Sequence, residues 1–521
     1  MHVLCPVVVA AERVYTGFRP TRVAEAFLAV GGRVVYAGYE AEALRLGRGA
    51  AEALGCRLRY ERLDGVVVPG FVDAHLHLAS LGFESRGLDL RGVESIDELK
   101  ALVARAAGRF GGWIYGRGWD QERVGTWPTR YDLDEAVADK PVVLMRVCGH
   151  AAVVNTEALR RLGLLGGERR RNVDYGCDGS PTGLLFEEEA WRAYREARHS
   201  VDPVRAVQAG QDRLLRAGVT TAATMGADWH EMRGLLEAWR RGVLRVRVRA
   251  YLDWGLYEAL HGAGFVPAGL GDEMLRVVGV KLFMDGSLGA RTAWLREPYS
   301  DDPGNRGRRL LAAEELARRA SMAARDGLDV AIHAIGDAAV AEAARGLMAA
   351  GVRGRVEHAS LAPRDVIELL RSAGARVVAQ PRFVASDWWA VDRLGEERAR
   401  WLYPFRSLLA AGVPLGFSSD APVEPVEPLE GVYAAVARPG PLGELTAGER
   451  LDVETALHLY TRGSAEALGE PWLGCLEPGC AADAVLLSED PLEAPTEYLP
   501  DIAVLASMVA GVWAWRRSGV A

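Results

Sequence analysis

The chain has 521 residues, 49% hydrophobic and 25% charged, with a formal net charge of −8. That balance is typical of a globular protein and argues against a dedicated nucleic-acid binder, which presents a basic face. No run of about 20 apolar residues offers a membrane span, and the length fits one large α/β domain with a smaller one.

The first residues, Met1-His2-Val3-Leu4-Cys5-Pro6, lack a basic leader region, so a cytoplasmic location is expected. Short strands are predicted at 3–9 and 33–39, and a helix at 40–54. Six cysteines (Cys5, Cys56, Cys148, Cys177, Cys475, Cys480) include no Cys-x-x-Cys pair. They are expected to be reduced, with a Cys475–Cys480 bridge left open by their spacing. Val66–Val72 reads as a buried strand interrupted by Pro69-Gly70, and it runs into His75 and His77. Two residues apart on an extended chain, both imidazoles face one side, as a divalent metal requires. Two ordinary histidines in a turn are the alternative. Residues 80–200 are irregular, with Gly-Trp repeats at 112–119, and read as an insertion after this strand.

From residue 200 a helix–strand alternation sets in. Strands are predicted at 219–224, 246–252, 277–283, 330–333, 355–358, 377–380 and 413–417. With Val66–Val72 they make eight, the pattern of a (β/α)8 TIM barrel in the α/β class. Strand-like segments at 483–487 and 507–515 close the chain, and short strands at both ends predict a small composite β-sandwich. The expected division is residues 1–65 and 475–521 for the sandwich and 66–474 for the barrel. The 80–200 insertion is expected to cover the active site.

Such barrels build active sites at the C-terminal ends of their strands. Those ends carry His75 and His77, Lys281, His333 and His358, with Asp420 just after the eighth strand. Taken singly, His333 and His358 read better as core histidines; their shared place on successive strands shifts the reading towards metal ligands. Lys281 is one of three lysines in a chain rich in arginine, and it lies in an apolar strand. A buried ammonium is costly. A neutral amine can instead take up carbon dioxide and become an anionic carbamate, which arginine cannot do. A salt bridge from Lys281 to Asp285 or Glu357 is the other reading. Asp420 could serve as both ligand and proton shuttle.

These residues lie in segments that resemble the YtcJ-like amidohydrolase family 3 group of the amidohydrolase superfamily. The segments include Pro69–His77, Gly118-Trp119-Asp120-Gln121, Gly149–Asn155, Lys281–Thr292, His333–Asp337, Glu357-His358-Ala359 and Gly416–Val423. The resemblance implies a hydrolase that uses one or two divalent ions, zinc above all. His75, His77 and Asp420 would bind one ion and His333 and His358 the other, with Lys281 bridging as a carbamate. A metal-bound hydroxide would attack the substrate carbonyl, with Asp420 handling the proton. The implied substrates are small molecules with non-peptide C–N bonds, such as amides and N-substituted formamides. The alternatives are a one-metal deaminase or cyclic-amide hydrolase, and a non-catalytic metal-binding barrel. His150, Trp119, Asp285 and Arg291 are the candidate substrate contacts, although the insertion's tryptophans read equally as its own core. A homodimer with no nucleic-acid or membrane partner is expected.

Overall fold

A computed structural model of the chain describes residues 5–147, 149–166 and 168–519. The chain begins with the strands β1 (Val7–Gly17), β2 (Arg22–Val30) and β3 (Arg33–Gly38) and the helix Glu40–Ala53. β4 (Arg59–Pro69) runs parallel to β1, and after Gly70 the strand β5 (Phe71–Leu76) enters a different sheet. The insertion follows with β6 (Leu88–Asp89), β7 (Ile114–Trp119), β8 (Val142–Arg146), β9 (Ala151–Val154), β10 (Val173–Tyr175) and β11 (Pro181–Phe186). Then come β12 (Val219–Ala227), β13 (Arg247–Asp253), β14 (Leu275–Phe283), β15 (Asp329–Ala334), β16 (Arg355–His358), β17 (Arg376–Ala379) and β18 (Leu415–Phe417). The last strands are β19 (Ala484–Leu487), β20 (Val504–Val509) and β21 (Val512–Arg516).

β5 and β12–β18 form one eight-stranded parallel sheet in sequence order. The first and last strands meet just past their ends. The Asp420 amide donates to the His75 carbonyl and the His77 amide to the Ala421 carbonyl, both at 2.8 Å. The sheet thus curls into a (β/α)8 barrel. Its strands are buried along nearly their whole length, as parallel strands covered on both faces must be. The outer helices turn one small apolar stripe inward; in Ala313–Arg325 it is Leu316, Ala320 and Ala323.

The termini supply a second, seven-stranded sheet in the order β21-β20-β19-β4-β1-β2-β3. Alternate residues of β1 and β2 serve its two faces. Val8, Ala10, Ala26 and Leu28 pack with Ala43 of the helix. Val7, Val9, Phe27 and Ala29 join Ala484, Leu486 and Met508 in another cluster. This sheet corrects one expected boundary. Val66–Pro69 do not begin the barrel: they pair with Leu487–Ala484 and belong to the terminal sheet. The apolar run is shared between two sheets, and Gly70 is the joint. A Cβ there would lie 2.2 Å from Thr220 Oγ1, so only glycine passes. Gly70→Ala is expected to cost about 1–3 kcal/mol of stability, read as a lower urea midpoint; an unchanged midpoint would refute the steric account.

The segment expected as one strand at 507–515 is a hairpin. Ala510 and Gly511 both take positive φ, 51° and 76°, which makes the tight turn that twisted antiparallel strands favour. One pair of cysteines also departs from the expected reduced state, and another forms the bridge that its spacing left open. Cys5–Cys56 and Cys475–Cys480 are disulfides, their Cα atoms 5.9 and 5.8 Å apart, within bridging reach. Cys177 is free and exposed, and Cys148 lies outside the described residues.

Residues 79–210, with 233–237, form a compact unit of their own. Its six-stranded sheet runs β10-β11-β9-β8-β7-β6. Trp113 packs with Phe83, Tyr115 and Tyr194 in one cluster, and Trp119 with Leu99, Leu133 and Leu144 in another. Trp119 is fully buried, and its indole N–H donates to the Leu144 carbonyl at 2.8 Å. Its expected role as a substrate contact is therefore corrected: the side chain is spent on the insertion's core.

Candidate metal centre

The barrel brings His75, His77, Lys281, His333, His358 and Asp420 to one rim. His75 is the penultimate residue of β5, Lys281 and His333 lie on adjacent strands, and His358 ends β16. Asp420 Oδ1 lies 3.5 Å from His75 Nε2 and 3.3 Å from His77 Nε2. The His75 and His358 rings are 5.0 Å apart, and those of His333 and His358 4.6 Å. His75, His358 and Asp420 offer ligand atoms all within 4.8 Å of one another.

Local backbone geometry aims these groups. Three non-glycine residues at the rim hold left-handed φ: His358 at 72°, Ala359 at 45° and Asp420 at 60°. Such conformations cost energy and persist where the surroundings enforce them. Asp73 provides part of that enforcement. It is buried beneath the rim and accepts from the His75 amide at 3.1 Å and from the Ser419 amide and hydroxyl at 3.2 and 2.5 Å. Its burial raises its pKa to about 7.

Each imidazole commits one nitrogen to an acceptor, which leaves the other with a lone pair facing the site. His77 Nδ1 lies 3.0 Å from the Met225 carbonyl and His333 Nε2 3.0 Å from that of Gly286. His358 Nδ1 meets Gln380 Oε1 at 2.8 Å, and His75 Nδ1 meets Glu357 Oε2 at 2.6 Å. With the proton on those nitrogens, the nitrogens left as donors to a metal are Nε2 of His75, His77 and His358 and Nδ1 of His333. Burial, with Lys281 nearby, depresses His333 to about 3 and His75 well below its ordinary range. Burial and the neighbouring imidazoles do the same to His358. Neutral rings are metal ligands.

Lys281 is 2% exposed, and its Nζ has no hydrogen-bond partner among the described residues. Neither salt bridge weighed from the sequence forms. Burial lowers its pKa to about 8 against the pull of Glu357 and Asp420. The Phe283 ring stands beside it, 5.2 Å from Nζ to the centroid and 5.3 Å from the His333 ring, yet 48% exposed. Phe283 thus gives the polar site an apolar border that sequence reasoning did not single out.

Two other expected substrate contacts are engaged by groups of the chain itself. Asp285 is buried and accepts the amides of Trp294, Ile335 and Gly336 at 2.9, 3.1 and 2.9 Å, so it ties together the loops after β14 and β15. Burial holds it at about 7. Arg291 is drawn to Asp301, at 2.7 Å, which Arg393 also grips. His150 lies in the insertion unit, its Nδ1 3.1 Å from Glu187 Oε2.

The sequence profile of the amidohydrolase family matches residues 64–514. The chain belongs to the amidohydrolase family. It is 32% identical over 497 residues to the putative amidohydrolase YtcJ of Bacillus subtilis, covering 88% of this chain and 90% of that one. It is 28% identical over 537 residues to the N-substituted formamide deformylase of Arthrobacter pascens, covering 95% and 96%. Among solved structures it resembles an uncharacterized metal-dependent hydrolase of Pyrococcus horikoshii, with 38% identity and a TM-score of 0.85 over 95% of this chain and 99% of that one. The family makes the chain a hydrolase, and the strand-end residues lie within the matched span.

Proposed function

We propose that the protein is a metal-dependent hydrolase that cleaves a non-peptide C–N bond in a small amide or N-substituted formamide. The observation that carries this reading is the donor set at one rim: four imidazoles that each commit one nitrogen to an acceptor, one carboxylate and one orphaned buried amine, with ligand atoms of His75, His358 and Asp420 all within 4.8 Å of one another. His75, His77 and Asp420 would hold one divalent cation, and His333 and His358 a second, with Lys281 between them as a carbamate. Imidazole and carboxylate donors suit zinc. When bound, such ions polarise a carbonyl and bring the pKa of water toward neutrality.

The chain's own groups supply the rest. With its pKa lowered by burial to about 8, Lys281 holds more neutral amine at pH 7 than an ordinary lysine. Its Nζ lone pair adds to the carbon of carbon dioxide, a C–O π pair moves onto oxygen, and one nitrogen-bound proton leaves to water. The product is an anionic carbamate that exchanges an orphaned amine for two ligand oxygens. Asp420 takes the proton of the attacking water and returns it to the departing nitrogen. Phe283 offers an apolar face to a substrate substituent. The relative from Arthrobacter pascens is named for N-substituted formamides, and the one from Pyrococcus horikoshii for metal dependence.

The test combines metal analysis with a panel of N-substituted formamides, acyclic amides, cyclic amides and aminoheterocycles. Two ions per chain are expected, with formamide or acyclic amide hydrolysis that a chelator abolishes and a divalent cation restores. A single ion with turnover confined to cyclic amides or deamination would replace this reading with the one-metal alternative. No metal and no turnover would leave a binding barrel.

A further inference from the structure

We propose that Glu357, held by Arg355, is the positioning residue that sets metal affinity at His75. This rests on the metal reading above and goes beyond it. The four imidazoles of the centre differ in their outer partners. Those of His77, His333 and His358 are neutral: two backbone carbonyls and the Gln380 amide. His75 has a hydrogen-bonded carboxylate, Glu357, at 2.6 Å, whereas the carboxylate nearest the outer nitrogen of His333, that of Asp285, stands off at 3.6 Å. A carboxylate behind an imidazole fixes the ring and raises its donor strength more than a neutral acceptor does.

Glu357 is itself over-determined. Arg355 and Glu357 are two residues apart on β16, so both side chains enter the same side of the sheet. Both are fully buried. The guanidinium grips the carboxylate as a fork, Nε to Oε1 and Nη2 to Oε2, both at 2.9 Å. It also donates to the Ala74 carbonyl at 2.7 Å, directly before His75, and to the Tyr251 hydroxyl at 2.9 Å. Tyr251 in turn donates to Asp329 at 2.8 Å. One cation therefore fixes both the backbone that carries His75 and the carboxylate that orients its ring. The Glu357 oxygen that meets His75 cannot swing away without breaking the fork. A buried ion pair is a poor source of stability by itself. Its geometry fits a second task, which is to hold a negative charge against one particular ligand.

The experiment uses the full chain, stripped of metal by chelation and titrated with Co2+. Affinity and the visible absorption of the Co2+ complex are read together. Two variants are compared with wild type. Glu357→Gln keeps an acceptor near His75 and removes its charge. The double variant R355Q/E357Q removes both charges and so leaves no buried charge uncompensated. Circular dichroism of the metal-free proteins identifies which variants are folded. Each folded variant is expected to bind Co2+ at least about 10-fold more weakly, with a shifted absorption band. Wild-type affinity within twofold and an unchanged spectrum in the folded double variant would overturn the proposal while leaving the metal reading intact. A wild-type chain that binds no Co2+ would instead overturn the metal reading and this proposal with it.

Discussion

Lys281→Met is expected to remove at least one metal ion per chain and to lower kcat/KM by at least about a thousand-fold. Methionine nearly keeps the buried volume and gives up only the amine, so the apolar strand around it stays packed. Lys281→Arg is the informative companion. It keeps a positive charge but has no amine to take up carbon dioxide. Equal losses in the two variants would assign the role to the carbamate; survival of arginine alone would assign it to an ammonium-like charge. Metal content by elemental analysis, steady-state rates and the intact mass of native protein are the measurements. Wild-type metal content in both variants would sink the bridging role.

Asp420→Asn is expected to lower kcat by about 10²–10⁴-fold, with circular dichroism unchanged. Asparagine suits this position for a backbone reason. Asp420 sits at φ 60°, in the left-handed region where asparagine, like aspartate, is at home. Its amide to the His75 carbonyl, which helps close the barrel, is a backbone bond that the substitution leaves in place. What goes is a carboxylate that can accept and return a proton. A kcat within tenfold of wild type would refute Asp420 as the proton carrier. Metal content, measured in parallel, separates a lost ligand from a lost base.

The sequence carries the barrel well, and with it the convergence of His75, His77, Lys281, His333, His358 and Asp420 on one rim, because both follow from order along the chain. Eight apolar strands punctuated by helices predict the rim, and the polar residue at each strand end predicts the donors. Direction is a different matter. In a regular strand Glu357 and His358 would face opposite sides, yet both approach His75, Glu357 at 2.6 Å and the His358 ring at 5.0 Å between centroids, with φ at His358 turned to 72°. That turn is enforced by the closed barrel and by no local pattern. The same applies to Asp285 and Arg291. Their chemistry suits a substrate, but three backbone amides claim the first and Asp301 the second. Trp119 shows the converse: an aromatic near a glycine pair is equally a pocket wall or a core residue until the sheet beneath it is known. The run at Val66–Val72 hid a division because both sheets require buried β-branched residues. The Arg355–Glu357 pair, opposite charges two apart on β16, was not singled out from the sequence, because the Ala74, His75 and Tyr251 groups it meets lie on other strands.

β4 carries a consequence for synthesis of the chain on the ribosome. One of its edges pairs with β1, which is made before it, but the other pairs with β19, which emerges about 400 residues later. At about 5–20 residues per second, that edge waits roughly 20–80 s for its partner. Meanwhile Val66, Val67 and Val68 present unpaired backbone groups and apolar side chains, the combination that recruits strands from other molecules. The barrel cannot offer early relief, since its own last strand, β18, is also translated late. A nascent chain stalled before β19 is thus a natural client for a chaperone that covers exposed strand edges, and the interval of exposure lengthens as translation slows.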